Sequence, residues 1–189
     1  MLVLDTSVIL NVLGSGRPKF LLSHLPYRAV VPPSVIQEVK REPDLLVDKD
    51  ACFVDLIECG LIAVLEANNK ADDIAIALAG AESPDDLDDG EAYAIAYAVV
   101  LGAAIGIDER KGRRIISEQW PSLKCLFAIE IIERAAIAAK LKDEERGVVI
   151  FSALRHSRMR VPKNRCADII ALIGKERARA CSSLGFIPD

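Results

Sequence analysis

Short apolar runs alternate with helical patterns along much of the chain, and two of those runs end in acids. The opening MLVLDTSVIL carries four apolar residues straight into Asp5. The run AAIGI at 103–107 ends in Asp108 and Glu109. Further short runs stand at 28–31, 61–65 and 123–127. Runs this short fit strands covered on both faces better than buried helices. The segments between them place apolar residues at helical spacing. This alternation predicts an α/β fold, with a central, mainly parallel sheet flanked by helices.

Local signals set the element boundaries. A helix at 7–13 meets the stop Gly14-Ser15-Gly16, and another follows at 18–25. Pro32-Pro33-Ser34 ends a strand and opens a helix. Ser34 and Gln37 there have the spacing of a capping box. Helices are also expected at 48–58, 71–79, 90–101 and 111–118. Asp88 or Asp89 caps the third of these, and Gly102 ends it. A polar turn is expected at 82–86. From Glu130 onward only helical patterns remain, at 130–140, 143–156 and 163–180. The expected organisation is a core over 1–127 and a helical extension over 128–189, packed on the same domain.

The chain has 189 residues, of which 51% are hydrophobic, enough for a sizeable core. No apolar run approaches the roughly 18 residues of a membrane span. Met1 leads directly into a strand-like run, so no signal peptide is expected. The five cysteines are odd in number and form no C-x-x-C pair, which argues against zinc. They are expected as buried free thiols in a reducing, cytoplasmic compartment. Net charge is −4, but residues 1–109 carry −12 and residues 110–189 carry +8. An acidic first part and a basic last part suit a protein that collects cations in one place and meets phosphates in another.

In parallel α/β folds, ligands bind beyond the carboxyl ends of the strands. Asp5 and Asp108, with Glu109 beside it, stand there. Glu38 lies early in the helix after the proline stop, and Glu91 in the first turn after LDDG. Helix N-termini that follow parallel strands face the same end of the sheet. Four separated acids therefore converge on one rim. Each has an ordinary reading too. Glu38 and Glu91 would each favour a helix dipole by roughly 0.3–1 kcal/mol. Asp5 would serve as an N-cap, and Asp108 as a turn residue. Together they pose an electrostatic problem. Two unit charges about 4 Å apart repel by roughly 4 kcal/mol at an effective dielectric near 20. Such carboxylates take up protons unless a cation joins them. His24 and His156 lie away from these motifs, so the donor set is all oxygen and selects Mg²⁺ or Mn²⁺. A hard cation in an open cleft suits phosphodiester hydrolysis.

Four segments resemble the motifs of the PIN-domain family of metal-dependent ribonucleases. LVLDTSVI resembles the first, VVPPSVIQEV the second, LDDGEAYAIAYAVVLGA the third and IGIDERKGRRI the fourth. The match is nearest to the branch with VapC-type toxins and covers about residues 1–127. The resemblance implies a three-layer fold and an endoribonuclease that hydrolyses RNA phosphodiester bonds. It implies Asp5, Glu38, Glu91 and Asp108 as catalytic, metal-binding acids, with Ser7 orienting Asp5 or a water. Many members carry Thr-x-Asp in the fourth motif, which aligns Ile107 and Glu109 here. The fourth ligand is thus either Asp108 or Glu109. The third motif more commonly carries Asp, and Asp88 and Asp89 stand near Glu91 as substitutes. A toxin role would add a cognate antitoxin as partner.

Arg110, Lys111, Arg113 and Arg114 follow the fourth acid and are expected on the RNA backbone or on a solvated helix face. A second basic run, Arg155, Arg158, Arg160, Lys163 and Arg165, fits contact with RNA, an acidic partner protein or a plain solvated turn between helices. Tyr93 and Tyr97, four apart, are expected to pack rather than stack on bases. The segment LFAIEIIERAAIAAK fits either its own sheet or a homodimer interface. Two other functions compete. A silent PIN-like module would bind nucleic acid or protein without turnover. A haloacid-dehalogenase-type phosphatase would want an acid two residues after Asp5, where Ser7 stands.

Overall fold

The computed structural model describes residues 1–41, 48–80, 87–157 and 159–185. The turn expected at 82–86, and Arg158 of the second basic run, lie outside these. Five strands form one sheet: β1 (Leu2–Leu4), β2 (Ala29–Val31), β3 (Ile62–Val64), β4 (Ala104–Gly106) and β5 (Cys125–Leu126). Their order is β3-β2-β1-β4-β5, and every neighbouring pair is parallel. The chain winds outward from β1 to β3, then returns to the other side of β1 with β4. The order therefore reverses between β1 and β4, where such sheets leave a crevice at their carboxyl ends.

Helices α1 (Thr6–Gly14), α2 (Pro18–His24), α3 (Ser34–Arg41) and α4 (Lys49–Glu58) belong to one face. On the other lie α5 (Asn69–Ala79), α6 (Asp89–Leu101) and α7 (Arg110–Gln119). The alternation of strand side chains divides the core accordingly. Leu2, Leu4, Ala29, Val31, Ile62 and Leu126 join the first cluster. Val3, Val30, Ile105 and Ile107 join the second. Leu2 and Leu4 are fully buried, each worth roughly 1.5–3 kcal/mol relative to exposure. The result is a three-layer α/β fold with C-terminal helices.

Those helices are α8 (Ala128–Ala138), α9 (Asp143–His156), α10 (Cys166–Ile173) and α11 (Lys175–Arg179). Ile129, Ile131, Ile132, Val149 and Ile150 share one cluster with Leu2, Leu4, Val8 and Ile9. The apolar face of α8 is thus used against the chain's own core, with Ile137 left exposed. The helix expected over 163–180 is broken at Gly174, whose φ of 85° lies outside helical geometry. The capping box at Ser34 does not form. Val35 and Ile36 donate instead to the carbonyls of Pro32 and Pro33, and the Ser34 hydroxyl has no hydrogen-bond partner among the described residues. Tyr97 packs as expected and donates to the Glu66 carbonyl at 2.9 Å. All five cysteines are free, but only Cys181 is buried, while Cys52 and Cys59 are exposed. Among the described residues no helix is long and apolar enough to cross a membrane.

Candidate functional site

A cleft of about 450 Å³ opens at the carboxyl end of the sheet, beside the β1–β4 reversal. Asp5, Thr6, Ser7, Glu38, Asp88, Asp89, Glu91 and Glu109 all line it. A second cavity of about 470 Å³ lies by α2 and α4, lined by Gly16, Pro18, Phe20, Cys52 and Leu56, with Lys19 paired to Asp55 at 2.6 Å. Its walls are mainly apolar, with Arg17 beside the Lys19–Asp55 pair, whereas six acids crowd the first cleft.

Asp5 ends β1 and caps α1. Its Oδ2 accepts from the Ser7 backbone N–H at 3.2 Å and from the Ser7 hydroxyl at 2.5 Å. Its Oδ1 accepts no hydrogen bond among the described residues and remains open to a ligand. Burial raises the Asp5 carboxyl to about 6, outweighing the Ser7 bonds, and Asp88 and Glu38 push it the same way. The capping role and the cleft role thus fall on different oxygens of one side chain.

Glu38 comes from α3 and accepts a short hydrogen bond from the Thr6 hydroxyl. Its carboxylate lies directly on Gly90, where an added Cβ would stand 2.2 Å from Oε2. Gly90 is therefore the residue that makes room for Glu38. Asp88 caps α6, accepting from the Glu91 N–H at 2.8 Å. Glu91 follows in the first turn of that helix. Burial raises its carboxyl to about 8, with Asp88, Asp5 and Glu109 adding to the rise and Lys111 opposing it.

Asp108 and Glu109 part company. Asp108 is buried, and both its oxygens are engaged: Oδ2 accepts from the Asn11 amide at 2.8 Å, Oδ1 from the Ala128 N–H at 2.7 Å. Burial raises its carboxyl to about 6, against the Ala128 bond, the Arg113 and Arg160 charges and the Asn11 bond. It ties α1 and the start of α8 to the end of β4 and does not line the cleft. Glu109 does line it, and its Oε2 accepts from Arg160 at 2.5 Å. The structure thus brings Asp5, Glu38, Glu91 and Glu109 together, with Asp88 and Asp89, and turns Asp108 away.

The basic run also divides. Arg113 donates to the Ile107 carbonyl at 3.0 Å and lies 3.4 Å above the Phe127 ring. It fastens the end of β4 to the entry of α8. Arg114 pairs along its own helix with Glu118. Lys111 acts on Glu91, and Arg110 is exposed. Thr6, Asn11 and Gly90 were not singled out by sequence reasoning as parts of a site, and Arg160 was named only as one member of the second basic run. A signal existed for Asn11, a lone amide within the apolar helix VILNVL. Another existed for Thr6, next to Asp5. Nothing local marks Gly90, and Arg160 is marked only by its basic neighbours.

A divalent cation fits this donor set. The cleft offers carboxylate oxygens, Asp5 Oδ1 among those that accept no hydrogen bond from the described residues, and burial raises two of the acids well above the usual carboxylate range. A cation would relieve both. Among the described residues no three acidic, histidine or cysteine groups already surround one ion-sized point. Closing on an ion therefore requires these side chains to move from the positions described.

A family model described as a PIN domain matches residues 1–175. Neither curated proteins nor solved structures gave a significant match.

Proposed function

The chain belongs to the PIN-domain family, and on that premise we propose that it is a Mg²⁺- or Mn²⁺-dependent endoribonuclease working at the acidic cleft. The observation that carries the reading is the set of unneutralised oxygens at the β1–β4 reversal. Asp5, through its open Oδ1, Glu91 and Glu109 would hold the cation, with Glu38 joining directly or through water. When bound, the cation supplies charge neutralisation at the phosphate and a water of lowered pKa. The chain's own residues set the geometry. Ser7 orients Asp5, Thr6 orients Glu38, and Gly90 leaves the space that Glu38 occupies. Lys111, and Arg110 at the start of the same helix, offer positive charge to the RNA backbone. Asp108 keeps a framework role.

The test is calorimetric Mn²⁺ binding by the wild type and Asp5→Asn, with RNA cleavage assayed on the same samples. The reading expects wild-type binding and cation-dependent cleavage, both lost in a variant that still folds. No binding by the wild type would remove the site. Binding without cleavage of any RNA offered would favour a silent binding module. A toxin role is a finer form of the same proposal. It expects growth arrest on expression, relieved by Asp5→Asn, and a small acidic-cleft-covering antitoxin that restores growth when co-expressed.

A further inference from the structure

We propose that Arg160, supplied by the segment between α9 and α10, binds the phosphodiester of the substrate RNA at the mouth of the cleft. The inference rests on the nuclease reading. Arg160 reaches Glu109 across 51 residues of sequence and donates one Nη1 bond to it. Its side chain is nevertheless 62% exposed. Exposed ion pairs add little to stability, typically about 0–1 kcal/mol, so folding alone does not account for an arginine in this place.

The residues on either side of it pack inward. Met159 is buried, and Val161 packs against the core. Arg165 donates its backbone N–H to Pro162 at 2.8 Å and reaches Glu133 on α8 through Nη2, 2.9 Å from each carboxylate oxygen. The segment is thus anchored while the Arg160 head stays in water beside a cleft acid. A preset cation of this kind loses little freedom when it meets a ligand.

Charge balance points the same way. The cleft lining carries six acids, which would repel an RNA backbone. Arg113 is turned inward, and Arg114 pairs with Glu118. Lys111 stands near Glu91 on one side, and Arg160 stands on Glu109 at another. A guanidinium has five N–H donors in a planar fork. One holds Glu109 here, and the others match the two non-bridging oxygens of a phosphodiester. A lysine ammonium lacks that fork.

The experiment measures cleavage of a short single-stranded RNA in Mn²⁺ across a range of salt concentrations, for wild type, Arg160→Gln, Arg160→Lys and Arg179→Gln. Mn²⁺ affinity is measured calorimetrically on each. Arg160→Gln is expected to raise KM about tenfold, the loss of a charged hydrogen-bonded contact. It should also reduce the log–log salt slope by about 0.7, the value for one phosphate contact on a single strand. Arg160→Lys should keep the slope and recover part of the affinity. Arg179→Gln, exposed on α11, should change neither. An unchanged salt slope in Arg160→Gln, with active wild type, would overturn this inference alone. So would a defect fully explained by weaker Mn²⁺ binding, which would make Arg160 only a support for Glu109. Wild type that neither binds nor cleaves RNA would overturn the nuclease reading itself.

Discussion

Replacing Asp108 should unfold the protein more readily without emptying the cleft. Asp108→Ala removes the acceptor for two buried donors, the Asn11 amide and the Ala128 N–H. Each orphaned donor costs about 1–3 kcal/mol. The lost carboxylate returns part of this, because burial already disfavours its charged form. A net loss of about 2–4 kcal/mol remains, or roughly 4–16 °C in Tm for a chain of this size. Glu109→Gln loses only an exposed pair with Arg160, so its Tm should stay within about 2 °C. Mn²⁺ calorimetry should show the opposite ranking: near-normal affinity in the folded Asp108 variant and at least tenfold weaker binding in Glu109→Gln. Asp108→Asn provides a second route if the alanine variant does not fold. It keeps one acceptor and turns an amide against the other donor. Pairing it with Asn11→Asp exchanges donor and acceptor, and the double variant should recover about 1–3 kcal/mol over the sum of the singles. Asp108→Ala with wild-type Tm and no Mn²⁺ binding would refute the framework role and return Asp108 to the ligand set.

Gly90→Ala places a Cβ against the Glu38 carboxylate, so the end of the Glu38 side chain must shift; Mn²⁺ affinity by calorimetry should fall about tenfold or more. Stability without cations should depend on pH in a defined sense. Asp5 and Asp108 have native values raised to about 6 from 3.8, so the native state holds more protons between them and stability is lost as pH rises through 6. Glu91 extends the decline toward about 8. Urea midpoints from pH 4.5 to 8.5 should show this fall, and Mn²⁺ should flatten it. Tyr97→Phe deletes the bond to the Glu66 carbonyl and should cost about 1–2 kcal/mol in urea unfolding, with Mn²⁺ binding unchanged.

Much of the fold was legible because its signals are local. All five strands lie inside the short apolar runs, and α6 ends at the expected Gly102. Asp88, rather than Asp89, proved to be its cap. The failures share a different origin. The Ser34 cap had correct spacing, but the preceding prolines start the helix earlier and leave no N-cap position for Ser34. Gly174 reads as a tolerable helix interior residue until α10 and α11 are seen to diverge there. Arg160 lay in a run of five basic residues, and only the return of α9 toward α1 brings it to Glu109.

That Glu109 lines the cleft and Asp108 does not follows from one fact that no local pattern contains, the register of β4 on β1. Leu4 pairs with Gly106, so Asp5 stands level with Ile107. Side chains alternate along a strand. Leu4 and a Gly106 Cβ point toward Ile131 and Val8, on the α1–α8 face, whereas Val3, Ile105 and Ile107 point toward α6. Asp5 therefore shares its side with Ile107, and the alternation carries past the strand. Asp108 falls in phase with Gly106 and meets Asn11 and Ala128, while Glu109 falls in phase with Ile107 and meets the cleft. The alignment of Ile107 and Glu109 with Thr-x-Asp agrees with this parity. Neighbouring acids at the end of one strand are thus sorted by geometry into a clamp and a cleft residue. A one-residue shift of register would exchange them and would carry every core side chain of β4 to the wrong face. The same packing that holds β4 in place is what gives the two acids their different surroundings.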